Sequence, residues 1–431
     1  MKIDSILKPY QHFGVNLGLD RIQQLLDKLG NPHQQLPVIH VAGTNGKGSV
    51  CAYLSSILTA AGYRVGRYTS PHLINWNERI CINQKPITSE ELENYLLQVV
   101  NAINKDSETP TQFEIFTAAA WLYFAQKKVD IAVVEVGLGG RLDATNVCET
   151  PLVSIITSIS REHWQVLGPT LADIAGEKAG ILKQNCPAVI GQLPPEAKAV
   201  IEKRILQLNC PTIWPKPALD LGKNWAEYHP EPDTQMNLPT SAVTIKYPLP
   251  LLGEIQLMNS ALAIAACQIL QQKRWEISET AIQNGMANTQ WSGRLQWTNW
   301  RNHKLLIDGA HNPAAAIALR QYVQTLDCLY PQQKGKSWVM GMLSTKDHAD
   351  IFKALLQTGD RLYLVPVPDH SSAEPEELAK LALTICPELS HCQTYPDLVA
   401  GLEAAIISES LTILCGSLYL VGYFFQQQEQ D

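Results

Sequence analysis

The stretch that decides the fold is His40-Val41-Ala42-Gly43-Thr44-Asn45-Gly46-Lys47-Gly48-Ser49, a glycine-rich turn between an apolar strand and an amphipathic helix. The apolar run 37–41 suits a buried strand, and apolar residues recur at helical spacing in 49–61. Glycines let backbone N–H groups and the helix N-terminus face an anion, while Lys47 can reach the outer phosphates. We interpret the stretch as a triphosphate-binding loop, with Ser49 placed to meet a bound Mg²⁺.

The loop departs in two places from the common pattern G-x-x-x-x-G-K-[ST]. Val41 stands where the first glycine is expected, and Gly48 separates Lys47 from the hydroxyl residue. The alternative is an ordinary turn with a helix cap, which explains any two of the glycines. It leaves the lysine between them unexplained, and this favours the phosphate loop.

Length and composition exclude several classes of protein. A chain of 431 residues is too long for one ordinary core, so two domains are expected. A net charge of −7 without a long basic run gives no footprint for nucleic acid or an anionic membrane. The ten cysteines lack a C-x-x-C pair, and no apolar run approaches the roughly 20 residues of a membrane span. With no secretory leader in the sequence, we expect a cytoplasmic monomer that acts on small molecules.

Strand-like and helix-like segments alternate through most of the chain, which is typical of a parallel sheet covered by helices. In the first part, the predicted strands are 38–42, 64–69, 130–136, 152–157 and 188–190, and the predicted helices are 49–61, 89–104, 114–127 and 170–180. A proline-rich region, 211–257, is expected to form loops and a β-hairpin, followed by helices over 258–271 and 278–288. A second series has predicted strands at 304–307, 337–340, 361–365 and 412–415. The fold class is therefore α/β: a P-loop parallel-sheet ATPase domain (1–292) followed by a smaller, Rossmann-like α/β domain (293–431).

Polar residues follow three of the predicted strands, where ligands of such sheets bind. Glu135 interrupts an apolar strand, and a buried carboxylate needs a cation or an internal salt bridge. Ser70 and His163 follow two other strands. Each alone has a plain structural explanation, a Ser-Pro turn or a paired histidine. Together the three could hold a hard cation beside phosphates, with water filling the other positions.

The glycine loop after Glu135 and a helix further on add two more features. The glycines of 137–140 permit close approach to a ligand, and the following residues Arg141, Asp143, Thr145 and Asn146 offer donors and acceptors. Lys178, near the end of a predicted helix, is expected to face the sheet and to be kept neutral by burial and like charge. A neutral lysine can react with CO₂ to form a carbamate. The alternative is an ion pair with Glu177.

In the second domain, Asp308 and His311 lie at a strand end, before a helix that Asn312 caps and Pro313 opens. Capping explains Asn312 and Pro313 and leaves the acid and the histidine for chemistry. Arg294, at the domain junction, could contact phosphates, and Asn259 is expected to begin a helix. A phosphate loop, metal ligands and this pair describe an ATP-driven ligase, in which a carboxylate attacks the γ-phosphoryl group and an amine then displaces phosphate.

Six motifs in order make the interpretation more specific: HVAGTNGKGS, TSPHL, EVGLGGRLDATN, EKAGILK, DGAHNP and CGSLYLVG. With these, the chain resembles the folylpolyglutamate synthase and dihydrofolate synthase family of the Mur ligase superfamily. The resemblance implies that ATP drives an amide bond between L-glutamate and a pterin-bearing carboxylate, either dihydropteroate or a folate that already carries glutamate. Mg²⁺ is the implied metal, and K⁺ is a further candidate cofactor.

The resemblance also implies roles for matching residues. Gly46, Lys47, Gly48 and Ser49 would bind ATP phosphates together with Asn259, Arg294 and Asp308, and Ser70, Glu135 and His163 would bind magnesium. Lys178 would be the carbamylated lysine of the family. Lys178, Asp308 and His311 would be catalytic, with His311 beside the glutamate-addition step. The implied pterin-binding residues are Gly14, Val15, Asn16, Leu17, Thr111, Gln112, Phe113, Glu114, Leu142, Asp143 and Ala144. Glu162 and Ser292 depart from residues common in relatives, aspartate and proline, without removing a functional group.

Three other functions compete with this interpretation. A peptidoglycan Mur enzyme shares the GTNGK core, but only about 37 residues precede the phosphate-loop strand, too few for a sugar-nucleotide domain. A nucleotide-dependent switch or transport ATPase would leave Asp308 and His311 without a role. Within the family, one activity or both remain open, and we expect both.

Overall fold

A computed structural model describes residues 3–11, 16–104, 108–230, 244–327, 335–407 and 410–428. The chain divides into two compact units. The first comprises Met1–Pro250 and Gln256–Gln290, and the second comprises Leu251–Ile255 and Trp291–Asp431. The first unit contains two sheets and the second contains one. The functional roles of the two domains stay predictions.

The first unit contains ten helices and eleven strands within the described residues. Its helices are α1 (Ile3–Leu7), α2 (Asp20–Lys28), α3 (Lys47–Ala60), α4 (Ser89–Asn101), α5 (Gln112–Gln126), α6 (Trp164–Leu167), α7 (Leu171–Ala179), α8 (Pro195–Leu208), α9 (Ile255–Gln272) and α10 (Glu279–Ala287). Its strands are β1 (Val38–Ala42), β2 (Val65–Tyr68), β3 (Ile80–Ile82), β4 (Lys85–Pro86), β5 (Ile131–Glu135), β6 (Val153–Ile156), β7 (Ala188–Ile190), β8 (Thr212–Ile213), β9 (Leu219–Gly222), β10 (Trp225–Tyr228) and β11 (Ile245–Pro248).

The main sheet of this unit has the order β4-β3-β2-β5-β1-β6-β7-β8. The six strands from β2 to β8 in this order run parallel, and β3 and β4 are antiparallel additions at one edge. Every residue of β1 and of β5 is buried, which explains their nearly continuous apolar sequence. Parallel strands align their carboxyl ends, so the residues after β2, β5, β1 and β6 share one edge of the sheet.

The proline-rich region differs from its prediction. It forms a separate antiparallel sheet of three strands, in the order β11-β10-β9, instead of a simple hairpin. Helix α9 begins at Ile255, three residues before the predicted start, so Asn259 lies within its second turn and does not cap it. Gly253, two residues before the helix, has a φ of 99°, a left-handed conformation that favours glycine.

The second unit has a six-stranded sheet in the order β12-β13-β17-β14-β15-β16. Its strands are β12 (Gln296–Trp300), β13 (His303–Ile307), β14 (Ser337–Met340), β15 (Arg361–Leu364), β16 (His391–Thr394) and β17 (Thr412–Cys415), and its helices are α11 (Pro313–Thr325), α12 (His348–Leu355), α13 (Pro375–Ile385), α14 (Leu398–Ile406) and α15 (Leu418–Gln428). All neighbours are parallel except β12 with β13. The four predicted strands form its interior, and β12 and β16, which the sequence did not predict, are its edges.

The α/β class with two parallel-sheet units is confirmed. Across the described part of the chain, no helix combines the length and apolar character needed to cross a membrane. The nine cysteines within these ranges are all free thiols, most of them buried.

Candidate active site

The phosphate loop connects β1 to α3, and two glycines give it its shape. Gly43 and Gly46 have φ values of 149° and 89°, a range that side chains resist. A β-carbon on Gly46 would lie 2.4 Å from Oδ1 of Asn259, and one on Gly43 would lie 1.9 Å from Oγ1 of Thr157. Both positions therefore require glycine, because the loop backbone touches α9 and the turn after β6.

Hydrogen bonds from the turn after β6 hold the loop in place. The backbone N–H groups of Thr44 and Asn45 donate to the carbonyl oxygen and Oγ of Ser158, at 2.8 and 3.0 Å. Thr157 Oγ1 donates to the carbonyl oxygen of Asn45 at 2.6 Å, and Ser160 N–H donates to Thr44 Oγ1 at 3.0 Å. A loop fixed in this way needs little further ordering to bind an anion, which favours affinity.

Two polar side chains of α3 face the loop and its neighbours. The ammonium group of Lys47 donates to the carbonyl oxygens of Gly43 and Thr44, both at 3.1 Å. The lysine thus curls over its own loop, where phosphate oxygens can take the place of the two carbonyls. Ser49 is buried, and its Oγ accepts from Nε2 of Gln256 at 3.3 Å.

The predicted metal ligands Ser70 and Glu135 lie together. Register pairs Tyr68 of β2 with Val134 of β5, so Ser70 emerges beside Glu135. The backbone N–H of Ser70 donates to Oε2 of Glu135 at 3.2 Å, and the carboxylate is buried. His163 follows β6, two strands from β5 in the sheet, with a φ of 51° and its Nε2 3.9 Å from Oε1 of Glu162.

The side chains of Ser70, Glu135 and His163 can be compared with the ligands that Mg²⁺ prefers. Within the described ranges, no group of three or more His, Cys, Asp or Glu side chains could hold a metal ion. Ser70, Glu135 and His163 offer one carboxylate, one hydroxyl and one imidazole, which leaves positions for water and phosphate oxygens. Mg²⁺ usually keeps several waters and takes one or two carboxylates plus substrate phosphates, so this sparse set fits.

Lys178 reaches the phosphate loop from α7, as a lysine buried behind it. Its Nζ donates to the carbonyl oxygen of Gly43 at 2.8 Å. Burial, together with the positive charge of Lys47, lowers the pKa of Lys178 to about 7. The direction of this shift agrees with the expectation that burial and like charge favour the neutral lysine.

The alternative partner of Lys178 is engaged elsewhere. Oε1 of Glu177 accepts from Nε and Nη2 of Arg141, at 3.0 and 2.8 Å. Arg141 was predicted to serve a polar substrate, and this ion pair shows that its guanidinium joins the glycine loop to α7. The amide of Asn146 does the same, because it donates to the carbonyl oxygens of Arg141 and Gly180 at 3.0 and 3.2 Å. Both side chains therefore connect the glycine loop to the end of α7.

Asp143 organises the glycine loop from within. Its Oδ2 accepts the backbone N–H of Leu138 at 2.8 Å, and its Oδ1 accepts the N–H and the hydroxyl of Thr145 at 3.0 and 2.5 Å. Nε2 of His40 lies 2.9 Å from the same hydroxyl, and burial lowers the pKa of His40 to about 3. The neutral imidazole therefore donates through Nε2. Burial raises the pKa of Asp143, and the hydrogen bonds that its carboxylate accepts oppose this rise. The hydroxyl of Thr145 thus links Asp143 to His40 within the protein.

The glycines of this loop also serve packing. A β-carbon on Gly137 would lie 2.4 Å from Cζ of Phe113, and one on Gly140 would lie 2.9 Å from the carbonyl oxygen of Glu177. At both positions protein atoms occupy the space that a side chain would take, so packing by itself requires glycine there.

The predicted pterin-binding residues fall in three segments of the first unit. Gly14 and Val15 lie outside the described residues, and Asn16 and Leu17 precede α2. Thr111 and Glu114 form a capping box at the start of α5: Glu114 N–H donates to Thr111 Oγ1 at 3.2 Å, and Thr111 N–H donates to Oε2 of Glu114 at 2.6 Å. These two side chains serve the helix, and the T-x-x-E spacing was the sequence signal for it.

In the second unit, Asp308 is buried after β13 and accepts two backbone N–H groups, from Leu295 at 2.9 Å and from Ala310 at 2.8 Å. Burial raises the pKa of Asp308, and Arg294 opposes that effect. Arg294 approaches the next residue, since a β-carbon on Gly309 would lie 3.2 Å from its Nη1. The structure therefore brings together the predicted Arg294 and Asp308.

His311 follows in the same turn. Its Nδ1 lies 2.7 Å from the carbonyl oxygen of Gly309, and a carbonyl only accepts, so Nδ1 carries a proton. In the neutral ring the lone pair is then on Nε2, which is the form a proton acceptor needs. Asn312 caps α11 by accepting the N–H of Ala315 at 2.9 Å, which confirms the predicted cap.

One residue near the phosphate loop, Gln256, was not predicted from the sequence. The amide of Gln256 joins Ser49, Tyr53 and Asn259, with Oε1 accepting from Tyr53 Oη at 3.3 Å and from Asn259 Nδ2 at 3.1 Å. Its spacing of three from Asn259 places both on one face of α9. That spacing was the available signal, and the late predicted start of the helix concealed it.

Family comparisons match both units. The Mur ligase middle domain family matches residues 41–267, and the family described as dihydrofolate synthetase, C-terminal domain, matches residues 293–427. A probable dihydrofolate synthetase of Schizosaccharomyces pombe is 38% identical over 429 residues, covering 97% of this chain and 99% of the relative. The chain belongs to the folylpolyglutamate synthase and dihydrofolate synthase family of Mur ligases.

Further members of the family agree in sequence and in structure. The dihydrofolate synthase/folylpolyglutamate synthase of Bacillus subtilis is 35% identical, over 95% of this chain and 94% of the relative. The structure of Escherichia coli FolC in complex with DHPP and ADP has a TM-score of 0.83 at 30% identity, with 99% of this chain and 96% of that chain covered. The predicted family and the class of ATP-dependent ligase are confirmed.

Proposed function

We propose that this ATP-dependent ligase adds L-glutamate both to dihydropteroate and to folates that already carry glutamate. The observation that supports this most directly is the convergence of Lys47 and Lys178 on the Gly43 carbonyl oxygen, on the sheet edge where Ser70 meets Glu135. Cations and a carboxylate beside a glycine loop suit a triphosphate and its metal. Relatives named for one or both activities support the pair of substrates.

In the proposed first step, a carboxylate oxygen of the pterin substrate attacks the γ-phosphorus of ATP. The bond to the β,γ-bridging oxygen breaks, ADP leaves and an acyl phosphate remains. Lys47 and the loop N–H groups hold the phosphates in line and stabilise their charge. Ser70, Glu135 and His163 would hold Mg²⁺, which neutralises charge on the phosphates when bound.

In the second step, the amino group of glutamate attacks the acyl carbon and phosphate departs with the bonding electrons. The nitrogen must lose a proton as the amide forms. We assign that proton to Nε2 of His311, because hydrogen bonding of Nδ1 to Gly309 leaves the lone pair of the neutral ring there. Arg294 and Asp308 contribute to nucleotide binding in this proposal, and Asn259 does so from α9.

Lys178 is proposed to act as a carbamate. Its neutral amine attacks CO₂, a C–N bond forms and the nitrogen releases one proton, so the neutral amine becomes a carbamate anion. With a pKa lowered to about 7, a large share of Lys178 is neutral near neutral pH. An anion at this position would hold the glutamate amine or a cation in place.

The pterin would lie against 16–17, 111–114 and 142–144. Gln112 and Phe113 are the side chains of the second segment that the capping box leaves for it. Because Asp143 already accepts hydrogen bonds from Leu138 and Thr145, we expect the third segment to contact the pterin mainly through the backbone of 142–144.

The proposal is tested by measuring ADP release from purified protein with ATP, L-glutamate and either dihydropteroate or a reduced folate. Release should require both co-substrates, and mass spectrometry should find each product heavier by one glutamyl unit. ADP release without glutamate would overturn the ligase proposal in favour of a nucleotide-dependent switch. If only one of the two pterin substrates is turned over, the protein has a single activity and the proposal of two is wrong.

Three finer points complete the proposal: a cytoplasmic location, a monomeric state and stimulation by K⁺. Free thiols and the use of ATP support the location. Light scattering of the purified chain tests the monomer, and replacing KCl by choline chloride in the ADP assay tests the cation. A mass twice that of the chain would contradict the monomer. An unchanged rate of ADP release in choline chloride would contradict stimulation by K⁺.

A further inference from the structure

Arg21 lies buried near the start of α2 and binds three different parts of the first unit. Its Nε donates to both carboxylate oxygens of Glu114 at 3.1 Å, and its Nη1 donates to Oε1 of Glu108 at 3.1 Å. Its Nη2 donates to the backbone carbonyl oxygen of Asn16 at 2.7 Å. One guanidinium therefore joins the segment before α2 to the segment that leads into α5.

A second contact connects the same two segments. The side-chain amide of Asn16 donates to Oε1 of Glu108 at 3.2 Å. Glu108 thus receives one hydrogen bond from the guanidinium and one from the residue whose carbonyl the guanidinium holds. These groups form a closed ring of hydrogen bonds, which fixes the distance between residue 16 and residue 108.

Glu114 transmits this restraint to α5. Its buried carboxylate accepts from Arg21 and, through the capping box, from the N–H of Thr111. A buried carboxylate that loses its cation is strongly destabilised, so the pair is stable only while both members stay. Lysine cannot replace the arginine, because one ammonium group does not match the geometry of a guanidinium that reaches three acceptors.

The start of α5 in turn positions an aromatic ring. Phe113 precedes Glu114, and its ring lies against Gly137, close enough that a β-carbon there would be 2.4 Å from Cζ. Gly137 is two residues after Glu135, at the carboxyl end of β5. A shift of the helix start would therefore move Phe113 and disturb the loop that follows the metal-binding carboxylate.

We propose that Arg21 is a positioning residue for pterin binding, which sets the relative placement of Asn16 and Leu17 and of Gln112 and Phe113. The inference rests on the proposed function, because those segments are the ones assigned to the pterin. Arg21 directs its donors to Asn16, Glu108 and Glu114, so we expect it to act through the residues it holds.

The test compares Arg21→Lys with Lys28→Met, which alters an exposed cation two turns further along the same helix. We expect Arg21→Lys to raise KM for dihydropteroate by about tenfold or more and to leave KM for ATP within about twofold. Lys28→Met should change neither value. Equal increases in both KM values, or no increase for dihydropteroate, would overturn the proposal, since a general loss of structure affects both substrates alike.

Glu108→Gln provides a milder variant if Arg21→Lys does not fold. It removes one charge from the ring at an exposed position and leaves the pair of Arg21 with Glu114. It should raise KM for dihydropteroate about threefold and increase hydrogen exchange at amides 16–18. Unchanged KM and exchange would refute the positioning role. Wild-type protein that shows no pterin-dependent ADP release would instead refute the proposed function itself.

Discussion

Lys178 donates a hydrogen bond to the carbonyl oxygen of Gly43 at 2.8 Å, so a lysine from α7 is fixed to the first residue of the phosphate loop. Lys47 donates to the same oxygen at 3.1 Å. Burial of Lys178, and secondarily the positive charge of Lys47 on the same acceptor, lowers the pKa of Lys178. The phosphate loop and the protonation of Lys178 are therefore linked through the carbonyl oxygen of Gly43.

Replacing Lys178 should abolish turnover in a way that a small acid can repair. Lys178→Ala removes the proposed carbamate and should reduce glutamate-dependent ADP release by at least about 100-fold, a loss of about 2.7 kcal/mol of transition-state stabilisation. Added formate or acetate should restore part of the rate by filling the space with an anion. The measurement is steady-state ADP release with and without the acid. Full activity of Lys178→Ala would contradict the carbamate.

The low pKa of Lys178 also predicts how stability depends on pH. Since the folded state holds this lysine at a pKa of about 7 and the unfolded state near 10.5, the unfolded state binds more protons between these values. The free energy of unfolding of the wild type should therefore rise with pH relative to Lys178→Met, by up to about 1.4 kcal/mol per unit. Below the folded pKa the difference should stay constant. Urea titrations of both proteins at several pH values measure it, and parallel pH profiles would contradict it.

Gly46→Ala should weaken nucleotide binding for a steric reason. The new β-carbon would collide with Asn259 and would also require a φ of 89° from alanine. Gly62→Ala is the matched control, because Gly62 has a φ of 93° and nothing beyond its chain neighbours lies within 4 Å of an added β-carbon. Both variants should lose about 1 kcal/mol of stability from the backbone strain. Only Gly46→Ala should weaken ADP binding, measured by calorimetry, by about 100-fold. Equal effects on ADP binding would show that strain alone is responsible.

Glu135→Gln should change the metal dependence of the reaction. The amide keeps the size of the buried side chain and removes its negative charge, so Mg²⁺ loses its one carboxylate in the proposed set. The Mg²⁺ concentration for half-maximal ADP release should rise by about tenfold or more, with a lower maximal rate. Glu149→Gln, at an exposed position, should leave both values unchanged. An unaltered Mg²⁺ curve for Glu135→Gln would remove this residue from the metal site.

Local sequence patterns predicted the elements well where burial is continuous. The run Val38–Ala42 is both the predicted and the observed strand, because both faces of a parallel strand are buried and its sequence is almost uniformly apolar. The edge strand His391–Thr394 has mixed polarity and partial exposure, so no periodic signal marks it. Interior strands were therefore predictable and edge strands were not.

The site residues show the same division between local and distant information. Positions at strand ends, such as Ser70 and Glu135, follow from the order of elements, and the structure finds these two in contact. The partners of Arg141 and Arg21 lie 36 and 93 residues away, and nothing in a single sequence identifies them. Residue type predicted a polar contact for Arg141, whereas tertiary packing determined that the contact is internal.

Gly140, in the glycine loop, and Gly180, directly after α7, allow the loop and the helix to pack closely. A β-carbon on Gly180 would lie 2.3 Å from Cα of Arg141, and one on Gly140 would lie 2.9 Å from the carbonyl oxygen of Glu177. In a saturation-mutagenesis scan both positions would be as intolerant as a ligand-contacting residue, although their role is to let α7 dock. Because α7 carries Lys178, and a β-carbon on Gly140 would lie 3.2 Å from the Cα of Lys178, we expect a bulkier residue at either glycine to reduce activity by displacing this lysine.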